Sequence, residues 1–117
     1  MEGLAIHHVA LRTRDLPRLV SFYTSLLQLP IARETPGYSV WLRAGGAVVM
    51  LEQCADDEPP IPAGSRELVA FAVSAEGRAA VLARLAEAGV PTDGETAYTT
   101  YFRDPDGRRV GVSTYPL

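Results

Sequence analysis

Two stretches of this chain alternate apolar and polar residues in the same way, 60 residues apart. The second, Tyr98 to Ser113, reads YTTYFRDPDGRRVGVS. Thr99, Thr100, Tyr101 and Phe102 favour a pleated, half-buried strand. Val110 and Val112 alternate with Arg109, Gly111 and Ser113, the period of a strand with one buried face. Between them Asp104-Pro105-Asp106-Gly107 has the chemistry of a tight turn: Asp caps its first position, Pro presets φ at the second and Gly suits the fourth. The first stretch, Tyr38 to Glu52, reads YSVWLRAGGAVVMLE and makes the same hairpin with the shorter turn Ala44-Gly45-Gly46, so Met50 falls opposite Gly111 in the comparison. Upstream, His8-Val9-Ala10-Leu11 matches Leu68-Val69-Ala70-Phe71, again 60 residues apart. The chain is a duplication, and that decides the fold class.

Taken in order, a strand is predicted over Leu4–Thr13, with Val9 and Leu11 pointing one way and His8, Ala10 and Arg12 the other. His7 then faces the Val9 side, where a buried imidazole is expected. Asp15 is an N-cap for a helix from Leu16, and Leu16, Leu19, Val20, Tyr23, Leu26 and Leu27 form its apolar stripe. Leu29-Pro30 ends it. A short strand near Ile31–Glu34 leads through Pro36-Gly37 into the first hairpin. The second half repeats the plan: strand Leu68–Val73, N-cap Ser74, helix Ala75–Ala88 with Val81, Leu82 and Leu85 inward, a stop at Gly89, and a weak strand near Pro91–Glu95. The expectation is an α+β fold, two tandem βαβββ modules at about residues 4–54 and 66–116. The proline-rich, acidic stretch 55–65 links them within one domain, 1–117. The helix-free sheet faces are expected to pair into a curved mixed sheet around a cup-shaped cavity, where a ligand would sit.

Composition narrows the function. At 117 residues neither half alone would bury a secure core. A hydrophobic content of 47% with 21% charged residues is ordinary for a soluble globule. A net charge of −3 argues against nucleic acid or an anionic membrane as partner. No apolar run reaches membrane-spanning length, and the start MEGLAIHHVA lacks a signal-type core. The single Cys54 excludes an internal disulfide and fits a reducing compartment, so a cytoplasmic location is expected.

The chain resembles the vicinal oxygen chelate superfamily, which includes glyoxalase I, extradiol dioxygenases, fosfomycin-resistance enzymes and bleomycin-resistance binding proteins. The residues that carry the resemblance are Ile6-His7-His8-Val9-Ala10-Leu11, Asp15-Leu16, Ser21-Phe22-Tyr23, Val69-Ala70-Phe71 and Phe102-Arg103-Asp104-Pro105-Asp106-Gly107. It spans essentially the whole sequence. It is specific for fold and uninformative about reaction, because this scaffold hosts many activities.

In the metal-using members, the resemblance implies, four equivalent strand positions supply His, Glu and His or Gln to a divalent ion at the base of the cup. Carried onto this chain they fall at His8, Met50, Leu68 and Gly111, the pairs that the internal repeat also matches. Only His8 is a ligand for such ions; a thioether is soft, and Leu and Gly offer no donor. No metal and no other cofactor is therefore expected. The expected ligand-binding residues are His8, Arg12, Trp41, Met50, Glu52, Leu68, Tyr98, Tyr101, Arg109 and Gly111. Which way Trp41, Tyr38, Tyr98 and Tyr101 face is left open by the alternation. Arg12 and Arg109 suit either an anionic group or a solvated rim, with a salt bridge to Glu52 as a further option.

The reading that follows is a metal-independent small-molecule binding protein of the glyoxalase/bleomycin-resistance type, taking an aromatic drug or natural product between aromatic walls. No catalytic residue is assigned. The alternative is a divalent-metal-dependent lyase, isomerase or dioxygenase with an atypical site around His8 and Glu52, and a third option is metal-free acid/base chemistry on the same two groups. The resemblance implies a homodimer, because family members usually pair.

Overall fold

The computed structural model describes residues 3–117. One compact unit ends at Glu58 and a second begins at Pro59. Each is a βαβββ module. The first comprises β1 (His8–Thr13), α1 (Leu16–Ser25), β2 (Ile31–Thr35), β3 (Ser39–Ala44) and β4 (Ala47–Gln53). The second comprises β5 (Leu68–Ala72), α2 (Ala75–Glu87), β6 (Thr92–Glu95), β7 (Thr99–Arg103) and β8 (Arg109–Ser113). The sheets have the orders β1-β4-β3-β2 and β5-β8-β7-β6, with the first pair of each parallel and the others antiparallel.

Register confirms the repeat strand by strand. Ala10 pairs with Met50, and Met50 with Trp41; Ala70 pairs with Gly111, and Gly111 with Tyr101. Alternation then sorts each sheet into two faces. In the first unit Leu11, Val40, Leu42, Val49 and Leu51 are buried together with Leu16, Leu19, Phe22 and Tyr23 of α1. In the second, Phe102, Val110 and Val112 share burial with Val81 and Leu85 of α2. The opposite faces carry His8, Ala10, Arg12, Trp41, Arg43, Met50 and Glu52 in one unit and Leu68, Ala70, Tyr101, Arg103, Arg109 and Gly111 in the other.

The helix ends follow local chemistry. The Asp15 carboxylate accepts from the Arg18 N–H at 3.1 Å, and Ser74 Oγ from the Gly77 N–H at 3.0 Å, so both expected N-caps are present. Gln53 supports the first cap from the neighbouring strand, accepting from the Leu16 N–H at 3.2 Å and donating to the Arg14 carbonyl at 3.0 Å. At the end of α2, Gly89 takes φ 73°; its N–H donates to the Ala86 carbonyl and that of Val90 to Leu85, a Schellman stop.

Three sequence expectations need correction. The first strand begins at His8 and not at Leu4, and Leu4 and Ile6 are exposed. With no strand there, alternation does not apply to His7: it lies exposed, its ring edge-on to His8 with 2.9 Å between the two Nδ1 atoms. Helix α1 ends at Ser25, short of the stripe positions Leu26 and Leu27, because Gln28 turns left-handed (φ 56°) and the Leu29 N–H returns to the Tyr23 carbonyl.

The β7–β8 turn is fixed by a buried ion pair. Asp104 Oδ1 accepts from the backbone N–H of Asp106 and Arg108, while Oδ2 accepts from Arg108 Nη1 at 2.7 Å. The carboxylate is fully buried and the guanidinium nearly so. Removing one partner of such a pair strands the other charge. Asp104→Ala should therefore cost about 3 kcal/mol in denaturant unfolding. Asp104→Asn, which keeps the acceptor for the two backbone groups, should cost clearly less.

Candidate functional site

The helix-free face of the first sheet is laid out in rows by its register. The central row is Ala10, Met50, Trp41 and Arg33, on four successive strands. This settles the direction of Trp41: it shares a face with Met50. Its ring is half-buried, and the Arg33 guanidinium lies 5.2 Å from its centroid, a cation–π contact. The row on one side is His8, Val48 and Arg43, and on the other Arg12, Glu52 and Ser39.

Arg12 is committed to carboxylates. It donates through Nε and Nη2 to Glu58 at 2.9 and 2.7 Å and through Nη1 to Glu52 at 3.3 Å. Glu58, in the stretch read as linker, also accepts from the Ala55 N–H at 2.7 Å, and Arg14 Nη2 donates to the carbonyls of Asp56 and Glu58. The fork-on hydrogen bonds from Arg12, then the Ala55 N–H, hold the Glu58 carboxyl down at about 2, and Glu58 in turn raises the Arg12 pKa. Of the roles open to Arg12 in the sequence, the structure has the salt bridge.

His8 and Glu52 share a face but do not meet. His8 pairs with Val48, and Glu52 stands four residues further along β4, roughly 13 Å away. The imidazole contacts His7, and the carboxylate contacts Arg12.

In the second unit the equivalent row is Ala70, Gly111 and Tyr101. A Cβ on Gly111 would lie 3.2 Å from Thr99 Cγ2, 3.4 Å from Tyr101 Cδ1 and 3.5 Å from Leu68 Cδ1. The absent side chain is thus replaced by neighbours leaning over the glycine. Arg109 stacks on Tyr101 with its guanidinium carbon 3.9 Å from the centroid. Its Nε is 3.7 Å from Asp93 Oδ2, which accepts from Arg103 Nε at 2.7 Å. Tyr98 lies just outside β7, half exposed, with its ring edge-on to Tyr115 at 4.9 Å, so it belongs to a different cluster from Tyr101.

The four positions that the resemblance maps to metal ligands do not suit a divalent ion. Met50, Leu68 and Gly111 bring no hard or borderline donor, and the room for a longer residue at Gly111 is taken by Tyr101 and Leu68. Among the described residues no group of three or more His, Cys, Asp or Glu could hold a metal ion. Sequence reasoning missed Arg33, Arg43, Asp93 and Arg103. Comparing the two halves along β2 and β6 would have singled out Arg33 and Asp93, but both strands are short and irregularly registered, so the repeat is faint there. Arg43 and Arg103 lie on β3 and β7, where the repeat matches them to each other.

Two four-stranded sheets, each built as βαβββ with a helix on one face, define the fold class. The family model described as the Glyoxalase/Bleomycin resistance protein/Dioxygenase superfamily matches residues 5–112, and the chain belongs to that superfamily. Its fold is similar to a glyoxalase/dioxygenase from Nostoc punctiforme, with TM-score 0.81 and 19% identity over 100% of this chain and 99% of that one. It is also similar to a lactoylglutathione lyase from Agrobacterium tumefaciens (TM-score 0.75, 22% identity, 95% and 93% covered). A third similar structure is a genomically encoded fosfomycin resistance protein from Listeria monocytogenes (TM-score 0.78, 16% identity, 100% and 94% covered). No curated protein matches the chain in sequence.

The Arg12–Glu58 pair gives a pH test. A carboxyl depressed from 4.5 to about 2 favours the folded state above its ordinary pKa, and that contribution is lost as pH falls from about 4.5 to about 2. Glu58→Gln should therefore melt below wild type at pH 7, the gap closing toward pH 2. Being exposed, the pair should also weaken in high salt. Thermal melts of both proteins across this range provide the check.

Proposed function

We propose that this superfamily member is a metal-independent small-molecule binding protein and that it takes a flat aromatic ligand. The observation that carries the reading is the donor set. Three of the four mapped ligand positions, Met50, Leu68 and Gly111, are apolar or lack a side chain, while the strands around them keep their register. Met50 also adjoins Trp41, so an apolar surface and an aromatic ring lie side by side where a metal ligand would otherwise stand. Such a surface binds by burial and stacking, with polar groups fixing orientation.

An enzyme built on His8 and Glu52, with or without a metal, needs both groups within reach of one atom. Their separation along the sheet and the engagement of Glu52 by Arg12 weigh against it. Cys54 is a free thiol, in keeping with the reducing cytoplasm proposed for the protein. Among the described residues no helix is long and apolar enough to cross a membrane.

Two measurements bear on the metal-free reading. Elemental analysis of gently purified protein should find no stoichiometric divalent ion, and chelator treatment should leave the melting temperature unchanged. About one ion per chain, with a lower melt after chelation, would replace the binder with the enzyme. Trp41 is the only tryptophan, so its fluorescence should change saturably when flat aromatic drugs are added. Met50→Asp, which puts a carboxylate beside the ring, should weaken that response.

The proposal includes a homodimer. Each four-stranded sheet ends in two edge strands, β1 and β2 in one unit and β5 and β6 in the other, and such edges invite pairing. Light scattering at micromolar concentration should give twice the chain mass of 12.6 kDa. A monomer mass would overturn this.

A further inference from the structure

The two modules differ in charge on their helix-free faces, and the difference at the edge strands β2 and β6 is informative. In the first sheet Ile31 pairs with Leu42 and Glu34 with Val40; in the second Thr92 pairs with Phe102 and Glu95 with Thr100. Ala32 therefore stands where Asp93 does, and Arg33 where Gly94 does. Arg43 corresponds to Arg103, and Trp41 to Tyr101.

In the second unit two arginines share one carboxylate. Asp93 accepts from Arg103 Nε at 2.7 Å and lies 3.7 Å from Arg109 Nε, and Arg109 stacks on Tyr101. Gly94 lies against this stack at φ 115°, a backbone conformation that favours glycine, and a Cβ there would touch Arg109 Nη2 and Tyr101 Cδ2 at an ordinary 3.7 Å. In the first unit the cation over the aromatic ring comes instead from β2, as Arg33 on Trp41. The carboxylate has been replaced by Ala32. Arg33 and Arg43 thus flank Trp41, both exposed and with no ion pair among the described residues. The carboxylate of Glu52, on the same face, is engaged by Arg12, and Glu34 pairs with Val40, whose side chain is on the helix side.

We infer that the helix-free face of the first sheet binds a flat aromatic anion, its ring on Trp41 and Met50 and its acidic group on Arg33 and Arg43. The missing Asp93 equivalent is supplied by the ligand. A carboxylate or phenolate on an aromatic ring meets both demands, since guanidinium groups bind planar oxyanions through forked hydrogen bonds and the indole stacks with the ring. This inference rests on the small-molecule binding reading and adds the charge of the ligand to it.

A matched set tests it: 2-naphthoate, 2-naphthamide and 2-naphthylmethylamine, titrated by Trp41 fluorescence and calorimetry. The naphthoate should bind about tenfold more tightly than the amide, and the amine most weakly. Rising salt should erode that preference. Arg43→Gln should remove most of it while sparing the amide. Ala32→Asp, which restores the carboxylate of the other module, should remove it without deleting either arginine. Both substitutions are at exposed positions, and circular dichroism confirms that the fold is kept. If all three compounds bind equally, or Ala32→Asp leaves the preference intact, the anion site is wrong and the binding reading stands. If none binds, both fall.

Discussion

The pairing of the central strands β4 and β8 is the constraint on which the rest depends. Each is hydrogen-bonded on both sides, parallel to the first strand of its module and antiparallel to its hairpin partner. Because side chains alternate strictly, a slip of one residue would send Val49 and Leu51, or Val110 and Val112, to the face away from the helix. Burial of those residues therefore fixes the register. The same register places Met50 beside Trp41, and Gly111 beside Tyr101. The layout of the helix-free faces is a by-product of packing the helix-covered ones.

Secondary contacts then lock segments that packing alone would leave loose. Arg78 at the start of α2 donates to Thr100 Oγ1, Glu95 Oε1 and the Ala97 carbonyl, tying helix, strand and loop at one point. Arg12 and Arg14 do the same for residues 55–58 of the first unit. Asp104 fixes the last turn from within, where a buried carboxylate is stable only because every hydrogen bond it needs is present. In each case one charged side chain satisfies several groups at once, which limits the entropy lost for each contact made.

The two modules show how a duplicated scaffold diverges chemically without changing its backbone. The strand orders and pairings are the same, yet on one sheet face two arginines share Asp93 and the other has Ala32 at that point. Such positions are exposed and contribute little to packing, so substitution there is nearly free in stability. Charge on the helix-free face can thus change while the core of Phe102, Val110 and Val112, or of Leu42, Val49 and Leu51, stays as it is.

The duplication, the N-caps Asp15 and Ser74, the Gly89 stop and the Asp104–Gly107 turn were all legible in the amino-acid sequence. The duplication shows as matching stretches 60 residues apart, and each cap, stop and turn depends on residues within a few positions of one another, where local geometry rules. The pairing of His8 with Leu68 and of Met50 with Gly111 was legible for the same reason, since it needs only the repeat. Tertiary structure decided the rest. It alone showed that the first strand starts at His8, that Trp41 shares its face with Met50, and that Glu58 reaches Arg12 across 46 residues. It alone aligned Ala32 with Asp93, because the bulged edge strands obscure that match in sequence. Alternation tells which residues of one strand share a face; only pairing between strands tells which neighbours they meet there.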